Sequence, residues 1–132
     1  MASDLSGERL ATLKQRLGQR YEELRTEVRR ELLEADSEGF LDLAGRVHDP
    51  GDESVADLLV DVGLAVVDRH VEAIRETEAA LLRLRTGTYG TCVDCGTRIG
   101  YERLLTEPTA ARCVTCQEVH ERAFAQPGRS TL

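Results

Sequence analysis

All four cysteines of the chain occur in the segment CVDCGTRIGYERLLTEPTAARCVTC, residues 92–116. They form two Cys-x-x-Cys pairs with 17 residues between the pairs, a spacing typical of a zinc site. Each pair can direct two thiolates at one tetrahedral ion, and the segment between them is long enough to bring the pairs together. Two disulfides, a redox motif and an iron centre are the alternatives for the same residues. The spacing and the thiol ligands favour one structural Zn²⁺, bound by Cys92, Cys95, Cys113 and Cys116.

A stripe of apolar residues precedes the cysteine segment. Between Leu10 and Leu32 the apolar residues recur every three or four positions, as in a coiled coil. This pattern predicts a first helix from about Asp4 to Asp36, with Gly39 as a stop signal after it. The stripe consists of Leu10, Leu13, Leu17, Tyr21, Leu24, Val28 and Leu32.

A second long helix is expected between the first helix and the cysteines. Ser54 and Asp57 fit the pattern of a capped helix start, and Gly87 is typical of a helix end. The two helices are of similar length, about 50 Å at ~1.5 Å per residue, which predicts an antiparallel hairpin. Four apolar residues between the helices are expected to form a short turn that packs on itself: Phe40, Leu41, Leu43 and Val47.

The predicted fold class is therefore mainly α, with a long antiparallel coiled-coil hairpin, a small four-cysteine zinc finger and a C-terminal helix. The hairpin occupies residues 1–86, and its tip lies near residues 40–54. Residues 87–125 contain the zinc finger and a last helix that runs from Val114 to about Phe124. We expect residues 126–132 to be a flexible tail.

Charge is distributed unevenly along the chain. The total is −7, but residues 31–68 contain eleven acidic side chains and one arginine, a net charge of −10. Such a segment opposes binding to phosphate backbones, which requires Lys or Arg. It suits either a solvated face or a tip directed at a basic protein surface. No signal peptide, membrane span or catalytic constellation is evident, so we expect a cytoplasmic protein that is not an enzyme.

Residues around the cysteines fit a wider pattern that includes Tyr89, Ile99, Arg103, Leu104, Pro108 and Ala110. With them, the segment 87–116 resembles the DksA/TraR zinc-finger family. The resemblance extends upstream, because Asp49 and Asp52 match both aspartates of the family's Asp-x-x-Asp-x-Ala motif at the tip of a coiled coil. Ser54 stands where the family has alanine. Both aspartates are also common turn and capping residues, so a structural role for them stays open.

The resemblance implies a regulator of bacterial transcription that binds RNA polymerase through the secondary channel and modulates initiation. The tip residues Asp49, Asp52 and Ser54 would act near the catalytic centre, and Arg69 is a possible polymerase contact. One structural zinc ion, a monomer and no sequence-specific DNA binding are expected. The positions that hold basic residues for the alarmone ppGpp in larger relatives correspond here to Glu76, Glu107 and Gln117, so regulation without ppGpp is expected.

Two other functions remain as alternatives. A zinc-ribbon coiled-coil adaptor could bind another protein with no direct role in transcription. A zinc-finger protein that binds nucleic acid is less favoured, because residues 92–132 carry no net charge.

Overall fold

The computed structural model describes residues 5–35 and 38–130 of the 132-residue chain. Within these ranges the chain is helical apart from its turns and one isolated antiparallel bridge between Thr91 and Arg98. The helices are α1 (Gly7–Glu34), α2 (Glu38–His48), α3 (Val55–Leu58), α4 (Ala65–Thr86), α5 (Tyr101–Thr106) and α6 (Val114–Ser130).

The two longest helices, α1 and α4, pack as an antiparallel pair, which confirms the predicted hairpin. The Ser6 hydroxyl caps α1 by accepting a hydrogen bond from the backbone N–H of Arg9 at 3.2 Å. The predicted ends of this helix, Asp4 and Asp36, lie outside the described residues. The stripe faces the interior as expected, and its buried members are Leu13, Leu17, Leu24, Val28 and Leu32.

The expectation of one continuous second helix is wrong. The predicted cap is in place, because Ser54 accepts a hydrogen bond from the N–H of Asp57 at 3.1 Å. The helix that it starts, α3, ends after one turn, and helical structure resumes only at Ala65. Gly63 has a φ of +79°, a conformation that stops a right-handed helix and that glycine adopts at little cost. The interruption also allows Leu59 to be fully buried.

The segment after α1 differs from the predicted short turn. Residues 38–48 form α2, which folds back along α1, and the expected stop signal Gly39 lies inside this helix. Ala44 and Val47 are buried, since the apolar residues of this segment recur at helical spacing and make one face of a helix. The distal half of the molecule is therefore a small bundle of four segments and not two helices alone. Its core consists of Leu24, Val28, Leu32, Ala44, Val47, Val55, Ala56, Leu59, Val67 and Ile74.

A second core joins the base of the hairpin to the cysteine segment. The start of α1 packs beside the finger, because Leu5 and Leu13 lie in this core. Both long helices also donate to carbonyls between the cysteine pairs: Arg16 to Leu105 at 2.9 Å, and Arg83 to Thr109 at 3.3 Å. The buried residues of this core are Leu5, Leu13, Leu17, Ala80, Tyr89, Cys92, Ile99, Leu104 and Ala110.

The last helix, α6, begins at Val114, as predicted. It continues to Ser130, past the expected end near Phe124 and into the segment expected to be a tail. Good helix formers such as Ala125 and Gln126 extend it, and residues 131–132 lie outside the described part. In the ranges that the structure covers, no helix is long and apolar enough to span a bilayer.

Candidate functional site

The first cysteine pair lies on a tight backbone turn. The N–H of Gly96 donates to the carbonyl of Cys92 at 3.0 Å, and the N–H of Cys92 donates to the carbonyl of Thr97 at 2.7 Å. Gly96 has a φ of +77°, which residues with a side chain rarely adopt. This turn brings Cys95 back beside Cys92, as binding of one ion by both requires.

The second pair lies at the start of α6. The N–H of Gln117 donates to the carbonyl of Cys113 at 2.9 Å, so the first helical turn contains both Cys113 and Cys116. The two pairs are joined directly, because the N–H of Val93 donates to the carbonyl of Ala111 at 2.9 Å. An ion pair of 2.7 Å between Arg112 and Asp94 links the same two segments.

The four thiols converge on one point. Their sulfur atoms all lie within 4.8 Å of one another, and those of Cys95 and Cys113 are 3.8 Å apart. Sulfur ligands about 2.3 Å from a tetrahedral Zn²⁺ are separated by about 3.8 Å, so the cluster fits this ion. All four positions are filled by protein, which makes the site structural. The cluster consists of Cys92, Cys95, Cys113 and Cys116.

Hydrogen bonds favour thiolates at the first pair. Burial opposes the charged form of Cys92, but backbone N–H groups from Asp94, Cys95 and Cys113 outweigh it and lower its pKa to about 6. The Thr97 hydroxyl lies 2.9 Å from the sulfur of Cys95 and lowers the pKa of that thiol. Because zinc binds thiolates and not thiols, both pKa shifts favour the form of the side chain that binds the ion.

The predicted tip residues do not lie at the distal end of the hairpin. The loop of residues 49–54, here called the acidic loop, follows α2 and lies beside the middle of α1 and α4. The side chains of Asp49 and Asp52 are exposed, and no described residue donates a hydrogen bond to either carboxylate. Ser54, and not Asp52, caps the following helix. Solvent-exposed carboxylates on a fixed loop are available to a partner.

One carboxylate, that of Glu78 on α4, attaches the acidic loop to the hairpin. It accepts hydrogen bonds from the Ser54 hydroxyl at 2.7 Å, the Val55 N–H at 2.7 Å and the Tyr21 hydroxyl at 2.6 Å. Burial and the bond to Glu78 raise the pKa of Tyr21, so its hydroxyl stays protonated and donates. Sequence reasoning missed Glu78, and it assigned Tyr21 only to the apolar stripe.

The two glutamates expected to disfavour ppGpp do come together. Glu76 and Glu107 line one groove of about 610 Å³ between the hairpin and the finger. Burial, Glu72 and Glu107 raise the pKa of Glu76, in that order of size. Arg16 and Arg20, which the sequence did not single out, line the same groove, so its charge is mixed.

Gln117, expected to matter for ppGpp, and Arg69, expected to contact polymerase, lie elsewhere. Gln117 is on α6 and bonds to Glu121 at 2.9 Å. Arg69 is exposed near the start of α4, at the end of the hairpin away from the finger. The structure does not bring either residue to the groove between the hairpin and the finger.

The fold and the site together define a class of protein, a four-cysteine zinc finger at the base of an antiparallel helical pair. A family model described as "Prokaryotic dksA/traR C4-type zinc finger" matches residues 87–122. The RNA polymerase-binding transcription factor DksA of Caulobacter vibrioides (strain NA1000 / CB15N) is 33% identical over 120 residues, which are 89% of this chain and 80% of that protein. The chain belongs to the DksA/TraR zinc-finger family.

Further comparisons agree. The RNA polymerase-binding transcription factor DksA of Escherichia coli (strain K12) is 30% identical over 106 residues, 78% of this chain and 67% of that protein. The structure of transcription factor DksA2 from Pseudomonas aeruginosa has the same fold, with a TM-score of 0.61 and 23% identity; the match covers 92% of this chain and 90% of that one. These relatives are named as transcription factors, which supports the expectation that the chain is not an enzyme. The family description also supports one structural zinc ion as the cofactor.

Proposed function

We propose that this protein regulates bacterial transcription by binding RNA polymerase through the secondary channel. The observation that carries the proposal is the similarity over 80% of the length of a relative named as an RNA polymerase-binding transcription factor. The charge pattern supports it, since residues 31–68 carry a net charge of −10. Such a surface is attracted to a basic protein channel and repelled by DNA.

In this proposal the finger and the base of the hairpin hold the protein on the polymerase, and the distal half enters the channel. Asp49 and Asp52 are the residues that act there, and Arg69 is a polymerase contact. The protein works in the cytoplasm as a monomer and reads no DNA sequence itself. The zinc ion keeps the finger folded and takes no part in chemistry.

Replacing Asp49 and Asp52 together with asparagine tests the role of the acidic loop. Both side chains are exposed, so we expect the free energy of unfolding to change by less than about 0.5 kcal/mol. We expect binding to core polymerase to stay within about three-fold, because rim charges contribute little to affinity. The effect on transcription, measured on a panel of promoters with purified polymerase, should be lost.

The matched control is Asp42→Asn with Asp61→Asn, which removes two other exposed carboxylates of the distal half. This variant should regulate as the parent does. If Asp49→Asn/Asp52→Asn regulates equally well, the acidic loop is not the acting element. If the parent neither binds polymerase nor changes transcription from any promoter, the adaptor function replaces the proposed one.

We further propose that regulation does not depend on ppGpp. Glu23, Glu76 and Glu107 outnumber Arg16 and Arg20 in one groove, and like charges at close range cost on the order of 1 kcal/mol against a polyanionic ligand. With the effect on polymerase alone subtracted, added ppGpp should change regulation by less than about two-fold. The measurement is the same promoter panel, with and without ppGpp. If ppGpp strongly enhances regulation by this protein and Arg69→Ala abolishes that enhancement, the proposal is wrong and the basic contact lies on α4.

A further inference from the structure

The acidic loop lies on the flank of the hairpin, and hydrogen bonds to Glu78 attach its end to α4. Glu78 accepts from Tyr21 on α1, from Ser54 in the loop and from the first N–H of α3. Residues 49–53 themselves border an open groove of about 820 Å³ and are mostly exposed. Apolar packing therefore contributes little to the position of these five residues.

Ser54 is central to this attachment because its hydroxyl has two roles. It donates to Glu78 at 2.7 Å and accepts from the N–H of Asp57 at 3.1 Å. An alanine at this position could do neither. Arg25 adds a second link by donating to the carbonyls of Val47, at 3.0 Å, and His48, which end α2.

The register of α1 and α4 shows where the same loop would lie in a longer hairpin. Tyr21 is opposite Glu78, and α4 runs back as α1 runs forward; the bond of 2.9 Å between Glu27 and His70 departs by two residues from the register that Tyr21 and Glu78 define. Continued in this register, residue 48 would be opposite residue 51. The acidic loop would then be the turn at the distal end.

The same register would also place apolar residues of α2 opposite apolar residues of α3. Ala44 would be opposite Val55, and Phe40 would be opposite Leu59. In the present arrangement Ala44, Val55 and Leu59 are buried in the distal core, and Phe40 is partly buried against it. The longer hairpin would thus pair these apolar side chains, and the bonds from Ser54 and Val55 to Glu78 belong only to the folded-back arrangement.

We propose that Tyr21, Ser54 and Glu78 form a latch that holds the acidic loop on the flank of the hairpin. When the latch opens, α2 and α3 continue α1 and α4 as one longer hairpin with the loop at its end. The latched form keeps Asp49 and Asp52 away from the distal end, and the open form displays them there. This inference rests on the proposed function only for its consequence in transcription.

Removing the acceptor tests the latch without polymerase. The variant Glu78→Ala, as zinc-loaded full-length protein, should have a maximum dimension in small-angle X-ray scattering up to about 20 Å longer than the parent, since 14 residues from 34 to 48 rise ~1.5 Å each. Exchange of the amide hydrogen of Val55 should become about ten-fold faster or more. The helical signal in circular dichroism should not decrease.

Two further variants make the outcome decisive. Glu72→Ala removes the same charge from an exposed position of α4, so it should scatter and exchange as the parent does. Tyr21→Phe/Ser54→Ala keeps the carboxylate and removes two of its three donors, so it should lengthen the protein as Glu78→Ala does. The latch is wrong if Glu78→Ala keeps the dimensions of Glu72→Ala, or if helical signal is lost without any lengthening.

Transcription assays separate this inference from the proposed function. If both hold, the lengthened variants should reach half of the maximal effect on a responsive promoter at a concentration about five-fold or more below that of the parent. If the variants lengthen but neither they nor the parent affect transcription, the latch stands and the proposed function fails. If the parent regulates and the variants do not lengthen, the latch fails alone.

Discussion

Replacement of Cys92 by alanine should unfold residues 88–124 while much of the α1/α4 pair stays helical. Structural zinc contributes roughly 10–16 kcal/mol to small zinc domains near neutral pH, more than the ~5–15 kcal/mol stability of a typical domain. The sheet structure of the finger in the described residues is one isolated bridge, between Thr91 and Arg98, so beyond the metal the finger depends on the core that it shares with the hairpin base. The hairpin has a separate core in its distal half, which does not include any finger residue.

Metal analysis and hydrogen exchange measure this loss. The parent should contain about one zinc ion per chain, consistent with its four convergent thiols. Cys92→Ala should contain little, with fast exchange of the finger amides. Val93→Ala is the matched control, since Val93 is adjacent but exposed and its side chain is no ligand. Freshly purified parent without zinc, with all four thiols free, would disprove the site.

Replacement of Gly90 by alanine should also be strongly destabilising. Gly90 has a φ of +86°, and a Cβ atom there would lie 2.5 Å from Cδ1 of Leu5. The left-handed conformation costs a side chain about 1–2 kcal/mol, and crowding of a packed core adds about 1–3 kcal/mol. We therefore expect a loss of about 2–5 kcal/mol in the free energy of unfolding, measured by urea denaturation of the zinc-loaded protein.

Gly87 provides the control for backbone strain alone. Its φ is +80°, but nothing lies within 4 Å of a Cβ placed there. Gly87→Ala should therefore lose only about 1–2 kcal/mol. In a Leu5→Ala background, which removes the crowding, Gly90→Ala should likewise cost only about 1–2 kcal/mol. Equal losses for Gly87→Ala and Gly90→Ala would show that Leu5 does not pack against this turn.

The zinc finger could be predicted from sequence because its determinants are local. Cys-x-x-Cys spacing fixes each turn within a few residues, and Gly96 supplies the one positive φ that the first turn requires. The stripe of α1 was equally informative about which face is buried. Leu17, Leu24 and Val28 are all fully or almost fully buried.

The path of the chain between the two long helices could not be predicted in the same way. A periodic stripe shows that a face is buried but does not identify the element that covers it. Burial of Val47 and Leu59 is compatible with two helices that meet at a tip, and it is equally compatible with a folded-back bundle. Which of the two arrangements forms depends on Glu78, which is 24 residues from Ser54. The spacing of residues along a single helix does not indicate a bond over that distance.

The groove residues show the same limit. Counting from the cysteines was enough to predict that Glu107 belongs to the finger, and distance along the second helix placed Glu76 near it. Arg16 and Arg20 come from α1, whose lateral position against the finger depends on tertiary packing. Charge around a site that is built from three distant segments is therefore the property that sequence predicts least well.

The finger contacts both long helices at once, through Arg16 on α1 and Arg83 on α4. Two smooth coiled-coil helices can slide past each other along their common axis, because a shift of seven residues presents the same apolar faces again. A rigid, metal-bound finger that is hydrogen-bonded to each helix at a different height prevents this sliding. The finger thus fixes the axial alignment of the hairpin together with the bonds between Tyr21 and Glu78 and between Glu27 and His70, and with it the distance from the finger to the acidic loop.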